Sequence, residues 1–123
     1  IGRDPVNRLR MAVVDLSRQP GKTAQTTFQC LDQNAEACLV RCILHTGRTH
    51  QIRVHMAHIG HPLLADALYG GQAAVNMNRQ ALHAWRLAFT HPFTGQPHVW
   101  KATLPQDMAQ ALTLLGLRYN DSE

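Results

Sequence analysis

Lysine is scarce in this 123-residue sequence: Lys22 and Lys101 are the only two, against ten arginines. Acids are scarce as well, eight Asp and Glu in all, which leaves a formal charge of +4 and a pI near 9.4. With 16% charged and 45% apolar residues, the composition excludes a chain too polar to fold and allows a globular core. Only three cysteines occur, Cys30, Cys38 and Cys42, an odd number without a CxxC pair. That excludes a disulfide framework and a zinc ribbon. In their apolar, strand-like surroundings they are expected as buried, reduced thiols of a cytoplasmic protein. No apolar run approaches the roughly 20 residues that cross a bilayer, so no membrane-spanning helix is expected. The start, Ile1-Gly2-Arg3-Asp4, is charged where a secretory leader is apolar. It also lacks an initiating Met, so a trimmed piece is expected. Neither internal repeats nor low-complexity tracts occur.

What is present in their place is arginine. A guanidinium forks a phosphate or carboxylate through two parallel hydrogen bonds and stacks on bases, where lysine offers a point charge. The basic excess fits a polyanionic partner. Arg3, Arg8, Arg10 and Arg18 cluster in residues 1–22, which read as an extended, irregular arm with a short strand around Met11–Val14. Residues 24–31 and 37–44 read as two strands, with Asp32-Gln33-Asn34-Ala35-Glu36 as a hairpin loop. Thr49 is a credible N-cap for a helix whose apolar side is Ile52, Met56 and Ile59, stopped by Gly60 and Pro62. A loop from Leu63 to Gly71 carries Asp66 and Tyr69, and residues 72–80 read as a surface loop. A second hairpin spans Leu82–Thr90 and His98–Thr103, turned by Pro92 to Pro97. Pro105 opens a closing helix with Met108, Ala111, Leu112 and Leu115 on its apolar face and Gly116 at its end. On alternating hairpin positions, Trp85, Phe89 and Trp100 are expected to be packed or half-buried. The fold class is α+β, a mostly antiparallel mixed sheet with a few helices.

The stretch that carries chemistry is Thr46-Gly47-Arg48-Thr49-His50-Gln51-Ile52-Arg53-Val54-His55-Met56. A strand, a glycine turn and a helix N-terminus in succession present free backbone N–H groups and the positive end of a helix dipole. Arg48 before the helix and Arg53 in its first turns are expected to point into one crevice, suited to a phosphate or an ion-paired carboxylate. Four histidines, His50, His55, His58 and His61, raise the question of a metal. Zinc sites pair ligands across one helix face with an acid nearby, but Gly60 separates His61 and no carboxylate follows before Asp66. No metal ligand is assigned, and histidines bonded to RNA or to the local backbone are the favoured reading.

Residues 46–71, TGRTHQIRVHMAHIGHPLLADALYGG, closely resemble the signature of the RluA-type pseudouridine synthases. IGRDPVNRLRMAV at residues 1–13 is similar to the segment that follows the catalytic half in the RluD-like branch. GKTAQTTF at 21–28 and LHAWRLAFTHPFTG at 82–95 resemble later blocks of the same family, in order and with compatible spacing. The resemblance implies part of the pseudouridine synthase catalytic fold and a cofactor-free isomerase. Such an enzyme detaches uracil from its ribose in structured RNA, rotates it and rejoins it through carbon. It implies one essential aspartate in a motif HRLDxxTSG, and an arginine, aligned with Arg53, that pairs with it.

No HRLD occurs among the 123 residues. None of Asp4, Asp15, Asp32, Asp66, Asp107 and Asp121 has that context, and Asp66, in Ala65-Asp66-Ala67-Leu68-Tyr69-Gly70, reads as structural. The expectation is therefore that residues 1–123 are the C-terminal part of the catalytic domain, without the N-terminal half that bears the aspartate. Such a piece is expected to be inactive alone, poorly stable and prone to self-association. For RNA contact the expected residues are Arg48, Thr49, His50, Gln51 and Tyr69, with Arg3, Arg8 and Arg10 as weaker phosphate ligands. The RluD-like opening points to large-subunit (23S) ribosomal RNA as partner. A non-catalytic RNA-binding module and, behind it, a histidine metal domain are the alternatives.

Overall fold

The computed structural model describes residues 1–74 and 76–119; Val75, within the expected 72–80 loop, and Asp121 lie outside the described residues. The class is α+β as read. Among the described residues every strand pair is antiparallel, and the strands form three separate two-stranded ladders rather than one mixed sheet.

The arm is more structured than its composition suggested. β1 (Gly2–Arg3) pairs with β2 (Met11–Ala12). Asp4 closes the loop between them. Its Oδ1 accepts the N–H groups of Val6 and Asn7 at 2.8 and 3.1 Å, and its Oδ2 accepts Arg10 Nε at 2.9 Å. Ile1 is buried, and its nitrogen donates to the Lys22 carbonyl.

β3 (Thr26–Gln33) and β4 (Cys38–Leu44) form the first hairpin. The ladder slips between Cys30 and Asp32, leaving Leu31 as an extra residue. Pairing continues through Gln33, so the turn starts at Asn34, two residues later than expected. There Asn34 Oδ1 accepts the N–H groups of Glu36 and Ala37. The cysteines are not buried as expected: Cys30 and Cys38 are exposed and Cys42 is intermediate, all three as free thiols. The reason is that the ladder is largely uncovered, with Phe28, Ile43 and Leu44 each about half exposed.

α1 (Gln51–His58) begins one residue later than a Thr49 cap would place it. His50 is the N-cap, in the left-handed region at φ 54° and ψ 29°, and no side chain caps the helix. Gln51 takes over the tie. Its Oε1 accepts the Arg48 N–H and the Thr46 hydroxyl, and its Nε2 donates to the Gln25 carbonyl and Thr26 Oγ1. A buried amide with these bonds leaves no polar group unsatisfied and fastens the helix start to β3. The buried residues of α1 are Gln51, Val54 and Met56, the last as expected, while Ile59 is about half exposed. Gly60, at φ 87°, ends the helix as expected.

The second hairpin joins β5 (Arg86–Thr90) to β6 (Pro97–Lys101). Phe89 and Trp100 are exposed rather than packed, because nothing among the described residues covers that face; Trp85 alone is half-buried, with Arg41 and Lys101 near its ring. α2 (Gln106–Leu115) starts after Pro105, which serves as N-cap rather than first helical residue, and Gly116 ends it at φ 72°. Asn34 Nδ2 donates to the Leu115 carbonyl, and the Arg118 N–H donates to Asp32 Oδ2, which ties the end of α2 to the first hairpin. Among the described residues no helix is long and apolar enough to cross a membrane.

The core is small. Ile1, Val54 and Tyr69 form its buried centre, with Met11, Ala24, Ala57 and Leu68 packed against it. It lies where the arm, α1 and the 63–71 loop meet. That loop holds a single 3-10 turn, Ala67–Tyr69, and is wound tightly. A Cβ at Gly71 would lie 1.9 Å from the Leu63 carbonyl oxygen, so no side chain fits there. Ala65 sits at φ 61°, where an L-residue with a Cβ is strained. Two opposite outcomes are expected in chemical denaturation: Gly71→Ala lowers stability by about 2–3 kcal/mol through backbone overlap, and Ala65→Gly raises it by about 1 kcal/mol by relieving the left-handed alanine.

Candidate active site around Arg53

The first turns of α1 and the 63–71 loop bring four side chains together. Arg53 Nε donates to Asp66 Oδ2 at 3.0 Å and Nη2 donates to Asp66 Oδ1 at 2.8 Å, a two-point fork. The Asp66 side chain is fully buried, and that of Arg53 is 13% exposed. The guanidinium carbon lies 5.0 Å from the centre of the Tyr69 ring. Tyr69 Oη accepts the Met11 N–H at 2.9 Å and shares a hydrogen bond with His50 Nδ1 at 2.8 Å. The two rings meet edge to face. His50 can reach the tyrosine because its left-handed backbone turns the side chain back across the helix start.

The carboxylate fork holds the Arg53 guanidinium above its ordinary pKa, so the cation is permanent. His50 is pushed the other way: burial disfavours its charged form, the Arg53 charge adds to the effect, and Asp66 only partly opposes it. Burial likewise lowers His55, whose Nδ1 is hydrogen-bonded to Thr26 Oγ1. The site is thus one fixed cation, one fully buried anion and a histidine held toward neutrality.

The remaining residues singled out in the sequence fall in different places. Arg48 and Arg53 do not converge: Arg48 Nε donates to the Thr23 carbonyl at 2.9 Å. Gln51, expected at the RNA surface, is 3% exposed, and its amide is used up within the chain. Thr49 is exposed beside it. Arg3 is exposed, with Nη1 on the Arg8 carbonyl. Arg10 bridges Asp4 and the Leu68 carbonyl, so it locks the arm to the 63–71 loop rather than standing free. Between them lies a polar cavity of about 290 Å³, lined in part by Asp4, Arg10, Val54, His58 and Tyr69. Among the described residues no three His, Cys, Asp or Glu side chains gather where a metal could be held.

The partnership of Asp66 with Arg53 was not anticipated. The two are 13 residues apart across a helix stop and an irregular loop, so no periodicity links them. The one available signal was a lone acid in an apolar stretch, Leu63-Leu64-Ala65-Asp66-Ala67-Leu68, thirteen residues after an arginine on a helix.

The RNA pseudouridylate synthase family matches residues 6–58. A ribosomal large subunit pseudouridine synthase D of Nitrosomonas europaea is 49% identical over 120 residues, covering 91% of this chain and 34% of that protein. One from Neisseria meningitidis serogroup B is 44% identical, covering 95% and 33%. The uncharacterized RNA pseudouridine synthase YlyB of Bacillus subtilis is 47% identical, covering 91% and 36%. A helix start bearing a largely covered arginine, set in an α+β frame, here coincides with similarity to these RNA pseudouridine synthases. The chain is similar over 91–95% of its length to these RNA pseudouridine synthases, and it spans about a third of the length of the curated relatives it matches.

One prediction concerns the arm beside the site. Arg10, followed by the N–H groups of Asn7 and Val6, holds the Asp4 carboxyl down at about 2 against an ordinary 3.8. A carboxylate depressed on folding stabilises above its unfolded pKa and loses that contribution as pH falls through the folded one. Denaturation midpoints of the wild type and Asp4→Asn are therefore expected to differ above about pH 4 and to converge as pH falls toward 2. A gap that persists unchanged at pH 2 would show that the Asp4 charge is not its source.

Proposed function

We propose that this chain carries the arginine-bearing part of the active site of an RNA pseudouridine synthase. The reaction is the cofactor-free isomerisation of uridine to pseudouridine in structured RNA, with large-subunit ribosomal RNA as substrate. The observation that carries the reading is the extended match, 49% identity over 120 residues, to a protein named for that activity. In this reading the nucleophilic aspartate comes from an HRLDxxTSG segment outside these 123 residues, and Arg53 is its partner. A guanidinium beside a carboxylate favours the ionised form, and only the anion can attack. Nη1 is the nitrogen outside the two-point grip of Asp66, and it is the one assigned to the incoming carboxylate. The target uridine must leave its stack to reach this place.

Arg48, Thr49 and His50 at the turn, with exposed Arg3 on the arm, are assigned to the RNA, and contacts of this kind weaken steeply with salt. The exposed apolar side chains Phe28, Ile43, Leu44, Leu87 and Trp100 support the placement of a further part of the same catalytic domain on these faces. In the isolated chain the same faces would drive self-association. A second reading, a non-catalytic RNA-binding module, is favoured by one observation: the Arg53 fork is already satisfied within the chain.

The test is pseudouridine formation on large-subunit ribosomal RNA. The full-length protein is expected to form it, and its Arg53→Lys variant, which keeps the charge and loses the fork, to be about 100-fold slower. The 123-residue chain alone is expected to form none. Turnover by the isolated chain, or undiminished turnover by Arg53→Lys, overturns the assignment. Binding without any turnover by the full-length protein selects the second reading.

A further inference from the structure

Asp66 is fixed at every polar atom. Its N–H donates to the Leu63 carbonyl at 3.1 Å, and its carbonyl accepts the N–H groups of Tyr69 and Gly71 at 3.3 and 2.7 Å. Its two carboxylate oxygens take Arg53. The loop that holds it needs a left-handed Ala65 before it and a residue without a side chain at Gly71 behind it. On the other side, Tyr69 places its ring against the guanidinium and is itself tied to Met11 and His50. Arg53 therefore has two of its three nitrogens and one face of its plane occupied by groups that cannot move independently.

A purely structural role explains this arrangement poorly. A buried ion pair costs desolvation of both charges, and packed apolar residues of similar volume often serve stability as well or better. What the pair supplies, and apolar packing does not, is a guanidinium of fixed position and orientation. We infer that Asp66 is a positioning residue for the reaction: its fork on Nε and Nη2, backed by the Tyr69 ring, sets the direction in which Arg53 presents Nη1 to the nucleophilic carboxylate. The inference rests on the reading given under Proposed function. It goes beyond that reading by giving catalytic consequence to an acid that touches neither substrate nor the reacting atoms.

The experiment is a double-mutant cycle on the full-length protein, using single-turnover and steady-state pseudouridine formation on large-subunit ribosomal RNA. Rates are normalised to the folded fraction of each variant. Asp66→Asn keeps the shape of the side chain and removes its charge. It is expected to lower kcat by about 30- to 100-fold, since a misplaced catalytic contact costs on that order, with KM for the RNA within about threefold. In the Arg53→Lys background, where there is no fork to hold, the same substitution is expected to cost less than about threefold. A structural role would move both backgrounds equally. If Asp66→Asn does not fold, Asp66→Glu carries the test, with a kcat loss expected from the displaced fork and again little loss beside Arg53→Lys.

Wild-type kcat in folded Asp66→Asn, or equal losses in the two backgrounds, overturns the inference while leaving the proposed function intact, provided Arg53→Lys is impaired. Absence of pseudouridine formation by the wild-type protein, or full activity in Arg53→Lys, overturns the proposed function and this inference with it.

Discussion

The ion pair between Arg53 and Asp66 is the constraint on which the organisation of this chain turns. It joins the first turns of α1 to a loop that has no regular hydrogen-bond ladder of its own. Because Asp66 is fully buried, its charge must be matched where it stands, and Arg53 does so. The loop path follows from that demand. Leu63 to Gly71 coils around the acid, Tyr69 is swung beneath the guanidinium, and through Tyr69 the arm is fastened at Met11. Arg10 adds a second fastening at the Leu68 carbonyl. Polar geometry ties these three segments together around the small apolar cluster of Ile1, Val54 and Tyr69.

Much of this was legible in the residues. Both hairpins follow from β-rich runs broken by turn residues, and both helix ends follow from Gly60 and Gly116, each found at positive φ. The family blocks singled out the 46–71 segment because TGRTHQIRVH is specific in kind and order. The parts that were not legible are those where a side chain overrides local preference. Thr49 has the better chemistry for an N-cap, yet Gln51 reaches back to the Arg48 N–H and the Thr46 hydroxyl, and His50 takes the cap position in a left-handed turn. Of the helical period Ile52, Met56 and Ile59, Met56 is buried, Ile52 partly so and Ile59 about half exposed, while that same glutamine and Val54 join the buried set. Burial of Cys30 is read from apolar neighbours and that of Phe89 and Trp100 from alternating hairpin positions, and neither signal says whether a second layer lies above them.

The electrostatics and the backbone strain coincide in space. The two non-glycine residues at positive φ, among the described residues, are His50, one helical turn before Arg53, and Ala65, directly before Asp66. Each departs from a relaxed backbone to deliver a neighbour: His50 reaches Tyr69, and Ala65 turns Asp66 toward the helix. Strain kept at such positions is characteristic of places where geometry is held for a purpose other than stability.

The extra residue in β3 has a consequence of a different sort. Cys30 lies opposite Val40 and Asp32 opposite Leu39, so successive partners belong to opposite sides of the ladder. Asp32 is thereby carried to the side facing away from Cys30, and there it meets the Arg118 amide just beyond α2. Regular pairing without the slip would set Leu31 opposite Leu39 and Asp32 opposite Cys38, returning that carboxylate to the Cys30 side and away from the Arg118 amide. The mooring of the segment after α2 is thus written in the register of a strand, independently of any residue in the helix itself.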